Sequence, residues 1–167
     1  MRLRFILLLS IFSISAYSQS ELARRNGFKD IKLGALVDSI KGTIFKKDFI
    51  ERKEFPAKLY EVEHADYEKI GTVEVKHIEL KTYKGFIYEI IVSTAKDPQI
   101  MKALEKSYGK ATYSIRAERF YWRSPDTLSL VYKGHPKKIE LSYRSVPIRK
   151  MMFLDKGKKI EDISDDF

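Results

Sequence analysis

Two adjacent β-rich segments constrain the fold most strongly. Residues 72–82 and 86–94 are rich in β-branched and aromatic side chains, and residues 83–85 (Tyr-Lys-Gly) join them. So short a connection joins neighbouring strands only in antiparallel order. In the second segment the period-two pattern predicts one apolar face formed by Phe86, Tyr88, Ile90 and Val92. The first segment changes phase, which predicts a β-bulge near His77.

Helices and further strands complete an α+β pattern. Asp97-Pro98 provides a helix N-cap and first turn, and Gly109 a stop, which predicts a central helix over about 97–108. A short N-terminal helix is predicted over 35–40, and a meander of strands over 118–123, 127–133 and 138–145. Runs of antiparallel strands separated by helices predict one antiparallel sheet of about five to seven strands, with both helices on one face.

The N-terminus has the order of a secretory signal. A basic start (Met1-Arg2-Leu3-Arg4) precedes an apolar run, and small residues follow it. We therefore expect a signal peptide over residues 1–18, cleaved after Ser18, and a periplasmic or secreted protein. The apolar run is about half the length of a membrane-spanning helix. After the signal we expect a lead-in over 19–26, a single domain over 27–150 and a charged tail, frayed or weakly helical, over 151–167.

Composition excludes several classes of chemistry. The chain of 167 residues contains no Cys, which excludes disulfides, thiolate metal sites, a Cys nucleophile and the lipidated Cys of a lipoprotein. The sequence has no Walker, nucleophile-elbow, dinucleotide-binding or zincin motif. We therefore assign no catalytic residue, cofactor or metal. The formal net charge of +9 favours acidic partners.

Two patches carry a resemblance. Residues 27–34 (Gly-Phe-Lys-Asp-Ile-Lys-Leu-Gly) and 104–110 (Leu-Glu-Lys-Ser-Tyr-Gly-Lys) resemble the opening and the helix end of small exported bacterial domains of unknown function. Ala111 stands where that pattern usually has Pro. More distantly, the helix-then-strands plan resembles modules of outer-membrane assembly lipoproteins and of β-lactamase inhibitor proteins. The resemblance implies a non-catalytic protein-binding domain, although this chain lacks their lipid-anchor Cys or disulfides.

Basic and aromatic residues alternate in the final meander. On its solvent-facing side the strand pattern predicts a binding surface formed by Arg119, Tyr121, Arg123, Lys138 and Arg144, while Phe120 and Trp122 point into the core. We expect the partner to be a protein or an anionic envelope component. Nucleic acid is not expected, because an exported protein does not meet it in the cell envelope.

Two alternatives remain open. One is a small hydrolase or metal-dependent enzyme that uses His64 or His77, each of which has carboxylates nearby in sequence. The other is a carrier of a small apolar ligand, held in a cavity between helix and sheet. A pocket that unites the histidines with carboxylates favours the first, and a cavity under the central helix favours the second.

Overall fold

A computed structural model describes residues 21–164, and these form an α+β fold dominated by one antiparallel sheet. Eight of its nine strands follow the order β3-β4-β6-β7-β11-β10-β9-β8, and β5 pairs with β6. The strands of this sheet are β3 (Thr43–Glu51), β4 (Phe55–Val62), β5 (Lys69–Ile70), β6 (Val73–Tyr83), β7 (Phe86–Ala95), β8 (Thr112–Ser114), β9 (Arg119–Ser124), β10 (Leu128–Gly134) and β11 (Lys138–Ser145).

A separate strand pair and three helices surround the sheet. The pair is β1 (Gly27–Phe28) with β2 (Ile31–Lys32). The helices are α1 (residues 21–25 of the described chain), α2 (Gln99–Tyr108) and α3 (Val146–Ser164). Single 3-10 turns occur at Val37–Ser39 and Ala65–Tyr67. In the part of the chain that the structure describes, no helix is both long and apolar enough to cross a membrane.

The sheet buries side chains on both faces. On the inner face, α1, α2 and the β1–β2 pair cover a core that includes Leu80, Ile90, Leu130 and Leu141. On the outer face, α3 covers a second, smaller cluster formed by Phe55, Ala57, Tyr83, Tyr88 and Met152. The prediction that the helices lie on one face was therefore wrong. The predicted strand number was also too low, because the short strands β5 and β8 carry little periodic signal in sequence.

The predicted N-terminal helix over 35–40 is replaced by a single 3-10 turn at Val37–Ser39. The backbone groups of this segment are used elsewhere: the Val37 N–H donates to the Gly85 carbonyl at 3.0 Å, and the Ala35 carbonyl accepts from the Ile87 N–H at 2.9 Å. The backbone pairs with the sheet instead, since Leu36 forms a β-bridge with Phe86. The central helix is present, and Asp97 Oδ1 accepts the Gln99 N–H at 2.8 Å to cap it. Gly109 ends it at φ 79°.

Two β-bulges decide which side chains reach each face. The register of β6 with β7 shifts between Val75 and His77, which confirms the predicted bulge. A second shift, between Lys81 and Thr82, leaves Tyr88 as an extra residue in β7. Tyr88 consequently lies on the outer face, whereas Ile90 lies on the inner face. The prediction that these two residues share a face was wrong for this reason.

Local signals explain why α3 starts where it does. Ser145 Oγ accepts the Ile148 N–H at 3.3 Å, and Pro147 occupies the first turn, where its missing N–H has no consequence. Farther along, Asp155 accepts hydrogen bonds from the Tyr83 hydroxyl at 3.0 Å and from Lys84 Nζ at 2.6 Å. The helix is thereby held against the β6–β7 turn. The sequence boundary proposed at 150/151 falls inside this helix.

Burial of Met152 anchors α3 to the outer face, since this side chain is 3% exposed. We predict that Met152→Ala lowers the free energy of unfolding by about 2–5 kcal/mol, because it removes packing and leaves a cavity. Leu154→Ala is the matched control: Leu154 is 67% exposed, and its truncation should change stability by less than about 0.5 kcal/mol. Urea unfolding measures both. Equal effects of the two substitutions would contradict the packing of α3 on the sheet.

Candidate functional site: a cationic cleft

A cleft of about 110 Å³ opens between α3 and the outer face of the sheet. The sheet contributes residues from β3, β4, β6, β7 and β11, and the helix contributes its first two turns. The walls consist of four cationic side chains, two carboxylates and four apolar or aromatic groups: Arg52, Lys81, Arg144, Arg149, Glu51, Glu89, Phe55, Tyr88, Met152 and Phe153.

Glu89 is the most deeply buried charge in the cleft, at 5% exposure. Its Oε1 accepts from Arg144 Nε at 2.6 Å and from the Ser142 hydroxyl at 2.7 Å, and Lys81 Nζ lies 2.9 Å from Oε2. Burial raises the pKa of the Glu89 carboxyl, but the charges of Arg144 and Lys81 outweigh burial and hold it below its ordinary value. Glu89 is therefore ionised at neutral pH.

Glu51 is the second carboxylate, and it is also engaged. Its Oε2 accepts a hydrogen bond from the Tyr88 hydroxyl at 2.8 Å and lies 3.5 Å from Lys81 Nζ. Burial and this contact with Glu51 raise the pKa of Tyr88, so the phenol remains a neutral donor. The bulge in β7 makes this contact possible, since it directs Tyr88 to the outer face.

Arg52 and Arg149 complete the cleft without carboxylate partners. Neither forms an ion pair or a side-chain hydrogen bond with any residue in the range 21–164. Burial lowers the pKa of the Arg149 guanidinium, and repulsion from Arg52 and Arg144 lowers it further. Arginine still carries its charge at neutral pH. The cleft therefore has an excess of positive charge that described residues do not neutralise.

Arg52 is presented by a strained turn. Arg52 and Lys53 both have positive φ, at 53° and 61°, between β3 and β4. Positive φ at two central residues is typical of a type I′ hairpin turn, which favours Asn-Gly. The β6–β7 turn has the same pattern at Lys84 and Gly85, with glycine at its second position. Non-glycine residues in this conformation cost about 1–2 kcal/mol each.

Comparisons of the chain with protein-family models, with curated proteins and with solved structures find no match.

The five residues predicted from the meander all lie on the outer face. Ser129 pairs with both Arg123 and Arg144, so these two arginines lie on either side of it. Strand alternation places Arg119, Tyr121 and Lys138 on the same face. Arg144 is the one member of the set that lines the cleft.

The other four extend away from the cleft. The Arg123 guanidinium lies 4.6 Å from the centroid of the Tyr121 ring, a cation–π contact. Lys138 Nζ lies 3.6 Å from Glu140 Oε2, and Arg119 faces Ser114 on β8. Trp122 points inward as predicted, and its indole N–H donates to the Gly109 carbonyl at 2.7 Å. The five residues thus form a strip on the outer face, with one end in the cleft.

Sequence reasoning missed Lys81, Glu89 and Arg149. One signal was available for Glu89: it stands alone as a charge in the otherwise apolar run 86–92. A charged residue inside a buried strand requires partners of opposite charge. No comparable signal identifies Arg149. Its position in the cleft depends on the packing of α3 over the outer face of the sheet, and the alternation of polar residues predicts that this face is exposed to solvent.

The histidines do not join the cleft. His64 and His77 line a separate depression of about 530 Å³, together with the carboxylates Glu63 and Glu68, as the enzyme alternative requires. His77 Nε2 lies 3.1 Å from Glu79 Oε1, and His64 Nδ1 lies 3.3 Å from Asp66 Oδ2. Among residues 21–164 no three His, Asp or Glu side chains are grouped to hold a metal ion.

The protonation of Glu89 gives a testable pH dependence. Because the pKa of Glu89 is depressed in the folded chain, its stabilising contribution is present above the ordinary glutamate pKa and is lost as pH falls through the depressed value. We predict that Glu89→Gln lowers the free energy of unfolding by about 3 kcal/mol at pH 7, since it removes the anion of Arg144 and the nearer of the two carboxylates of Lys81. The difference in free energy of unfolding between Glu89→Gln and the unaltered chain should become smaller in acid, where Glu89 itself becomes protonated.

Glu74→Gln serves as the control, because Glu74 is exposed on β6 and forms no ion pair with residues 21–164. Urea unfolding at pH 7 and at pH 3 measures both variants. A Glu89→Gln effect that is as small as that of Glu74→Gln, or that grows in acid, would contradict this network.

Proposed function

We propose that this chain is an exported, non-catalytic binding domain that recognises an acidic group on a protein or on an anionic component of the cell envelope. The cationic cleft is the binding site, and the strip from Arg144 to Arg119 extends the contact surface. One observation carries the proposal: Arg52 and Arg149 face a cleft whose two carboxylates already have partners. A carboxylate or phosphate bound there would relieve repulsion among the arginines.

The chemistry of the lining supports binding rather than turnover. Among residues 21–164, the groups of the lining that could act as acid or base are already paired with one another, namely Glu51, Lys81, Tyr88 and Glu89. Arginine side chains bind carboxylates and phosphates through paired N–H donors, which gives both charge and orientation. The expected export of the chain places the cleft outside the cytoplasm.

Inorganic phosphate is the simplest probe of the cleft. We predict that phosphate raises the melting temperature more than chloride does at equal ionic strength, because a bound ligand stabilises the folded state. Arg149→Gln should weaken the phosphate effect about tenfold in apparent affinity, as expected for loss of a charged hydrogen bond. Arg116→Gln is the matched control. Arg116 is exposed and forms no ion pair with residues 21–164, and it lies in the β8–β9 turn, outside the cleft.

Identical responses to phosphate and chloride would overturn the anion site. So would equal phosphate affinities of Arg149→Gln and Arg116→Gln. The partner itself is then tested by cross-linking in the cell envelope, followed by washes at low and moderate salt. Generic charge contacts weaken as the Debye length falls below about 10 Å. One partner that survives the wash, and is lost with Arg149→Gln, supports the proposal; partners that Arg149→Gln retains would refute it.

The strained turn separates the role of charge from that of conformation. Lys53→Gly should stabilise the chain by about 1 kcal/mol, because glycine accepts a positive φ without steric cost, and it should leave phosphate binding unchanged. Arg52→Asn should also fit the turn but should weaken phosphate binding, because it removes a cation from the cleft. Thermal melting and phosphate titration of both variants measure this. Equal phosphate affinities of the two variants would show that Arg52 has no part in binding.

A further inference from the structure

A second cavity, of about 440 Å³, lies on the opposite side of the sheet from the cationic cleft. It is bounded by α2, by the β1–β2 pair and by β11 on the inner face. Its volume falls in the range of small-molecule sites in proteins. This is the space between helix and sheet that a ligand carrier requires.

One side of the cavity is apolar. Ile100 and Leu104 approach it from α2, and Leu141 forms the floor on β11. Ile100 and Leu141 are buried, and Leu104 is partly exposed and packs against the same core cluster. An aliphatic chain placed there would remove apolar surface from water that the protein leaves open, which favours binding.

The other side of the cavity carries the hydroxyl group of Tyr143. Tyr143 is 4% exposed, and its hydroxyl makes no hydrogen bond with residues 21–164. Burial raises the pKa of Tyr143, and the nearby Tyr108 adds to this, so the hydroxyl stays protonated at neutral pH. Tyr143 lines the cavity, so a ligand oxygen placed there could accept a hydrogen bond from its hydroxyl.

The charges around this hydroxyl are positive. Arg25 and Lys29 line the cavity, and no Asp or Glu among residues 21–164 does so. The Arg25 guanidinium lies 5.7 Å from the centroid of the Tyr108 ring. Arg25 Nε lies 2.7 Å from Glu21 Oε1 within α1. A ligand head group in this position meets donors and positive charge.

We propose that this cavity binds a medium-chain aliphatic carboxylate, with the chain between α2 and β11 and the carboxylate at Tyr143 and Arg25. The site goes beyond the proposed function and is independent of it, because the cationic cleft lies on the other face of the sheet. Phosphate binding in the cleft and carboxylate binding in this cavity can therefore fail separately.

Three probes of equal chain length test the assignment: decanoate, decanol and decylamine, each titrated by calorimetry below its aggregation concentration. Decanoate should bind with one site per chain, decanol should bind more weakly, and decylamine should not bind. Absence of decanoate binding would overturn the proposal. Decylamine or decanol binding as tightly as decanoate would overturn the assignment of the head group.

Tyr143→Phe keeps the ring and removes the hydroxyl. It should weaken decanoate binding about tenfold, the loss expected for a hydrogen bond to a charged group, and should leave decanol binding within about twofold. Tyr67→Phe is the matched control, because Tyr67 is equally buried in the inner core but donates to Asp30 at 3.1 Å and does not line the cavity. Equal decanoate affinities of the two variants would overturn the role of Tyr143.

Leu104→Trp provides a second test that does not depend on the hydroxyl. A larger side chain at this partly exposed position fills the cavity from α2 and should abolish binding of decanoate and decanol together. Cooperative urea unfolding is the internal control and shows whether the variant is folded, and it does not depend on phosphate binding in the cleft. Decanoate binding that survives in Leu104→Trp would place the ligand elsewhere.

Discussion

Glu89 places a buried negative charge on the outer face of the sheet, and the cations Arg144 and Lys81 pair with it from the neighbouring strands. Arg144 and Lys81 reach Glu89 from the strands on either side of β7, and both are fixed by that contact. Desolvation of a single carboxylate is costly, so its pairing with two cations and one hydroxyl is required for the strand to be buried at all. The cleft then acquires its positive excess from Arg52 and Arg149, which form no ion pair with this carboxylate among residues 21–164.

The location of α3 follows from the same constraint. A helix packed over a purely polar face would bury unpaired groups, whereas the outer face offers Phe55, Ala57 and Tyr88 beside the Glu89 network. Met152 packs on the apolar part, and Arg149, one turn earlier, faces the charged part. One helix thus closes a small core and leaves a cleft beside it. The inner face carries a different cavity, apolar with a polar end, so the two sides of the sheet are suited to different ligands.

Local sequence signals predicted the elements better than their assembly. Asp97, Pro98 and Gly109 define α2 because caps act within one turn, and the three meander strands lie within one residue of their predicted bounds. The second bulge, at Tyr88, was not predictable from alternation. Ile87, Tyr88 and Ile90 are all apolar or aromatic, so the sequence pattern does not show which of them points to which face of the sheet. The packing of α3 was missed for a related reason: Lys and Asp dominate its second half, and a weakly amphipathic segment gives no sign of which surface it will cover. Arg144 was predicted from alternation, whereas Arg149 required the tertiary structure. Residues 1–20, which include the expected signal peptide over 1–18, lie outside the described residues, and export remains a prediction.

Arginine side-chain signals in a nitrogen-15 NMR titration with phosphate, at constant ionic strength, test the anion site most directly. An occupied cleft predicts that the Nε–Hε signals of Arg149 and Arg52 move saturably and together, while those of Arg116 and Arg24 do not. Small, linear shifts of every arginine signal would instead show non-specific screening and would contradict a cleft built to receive an acidic group.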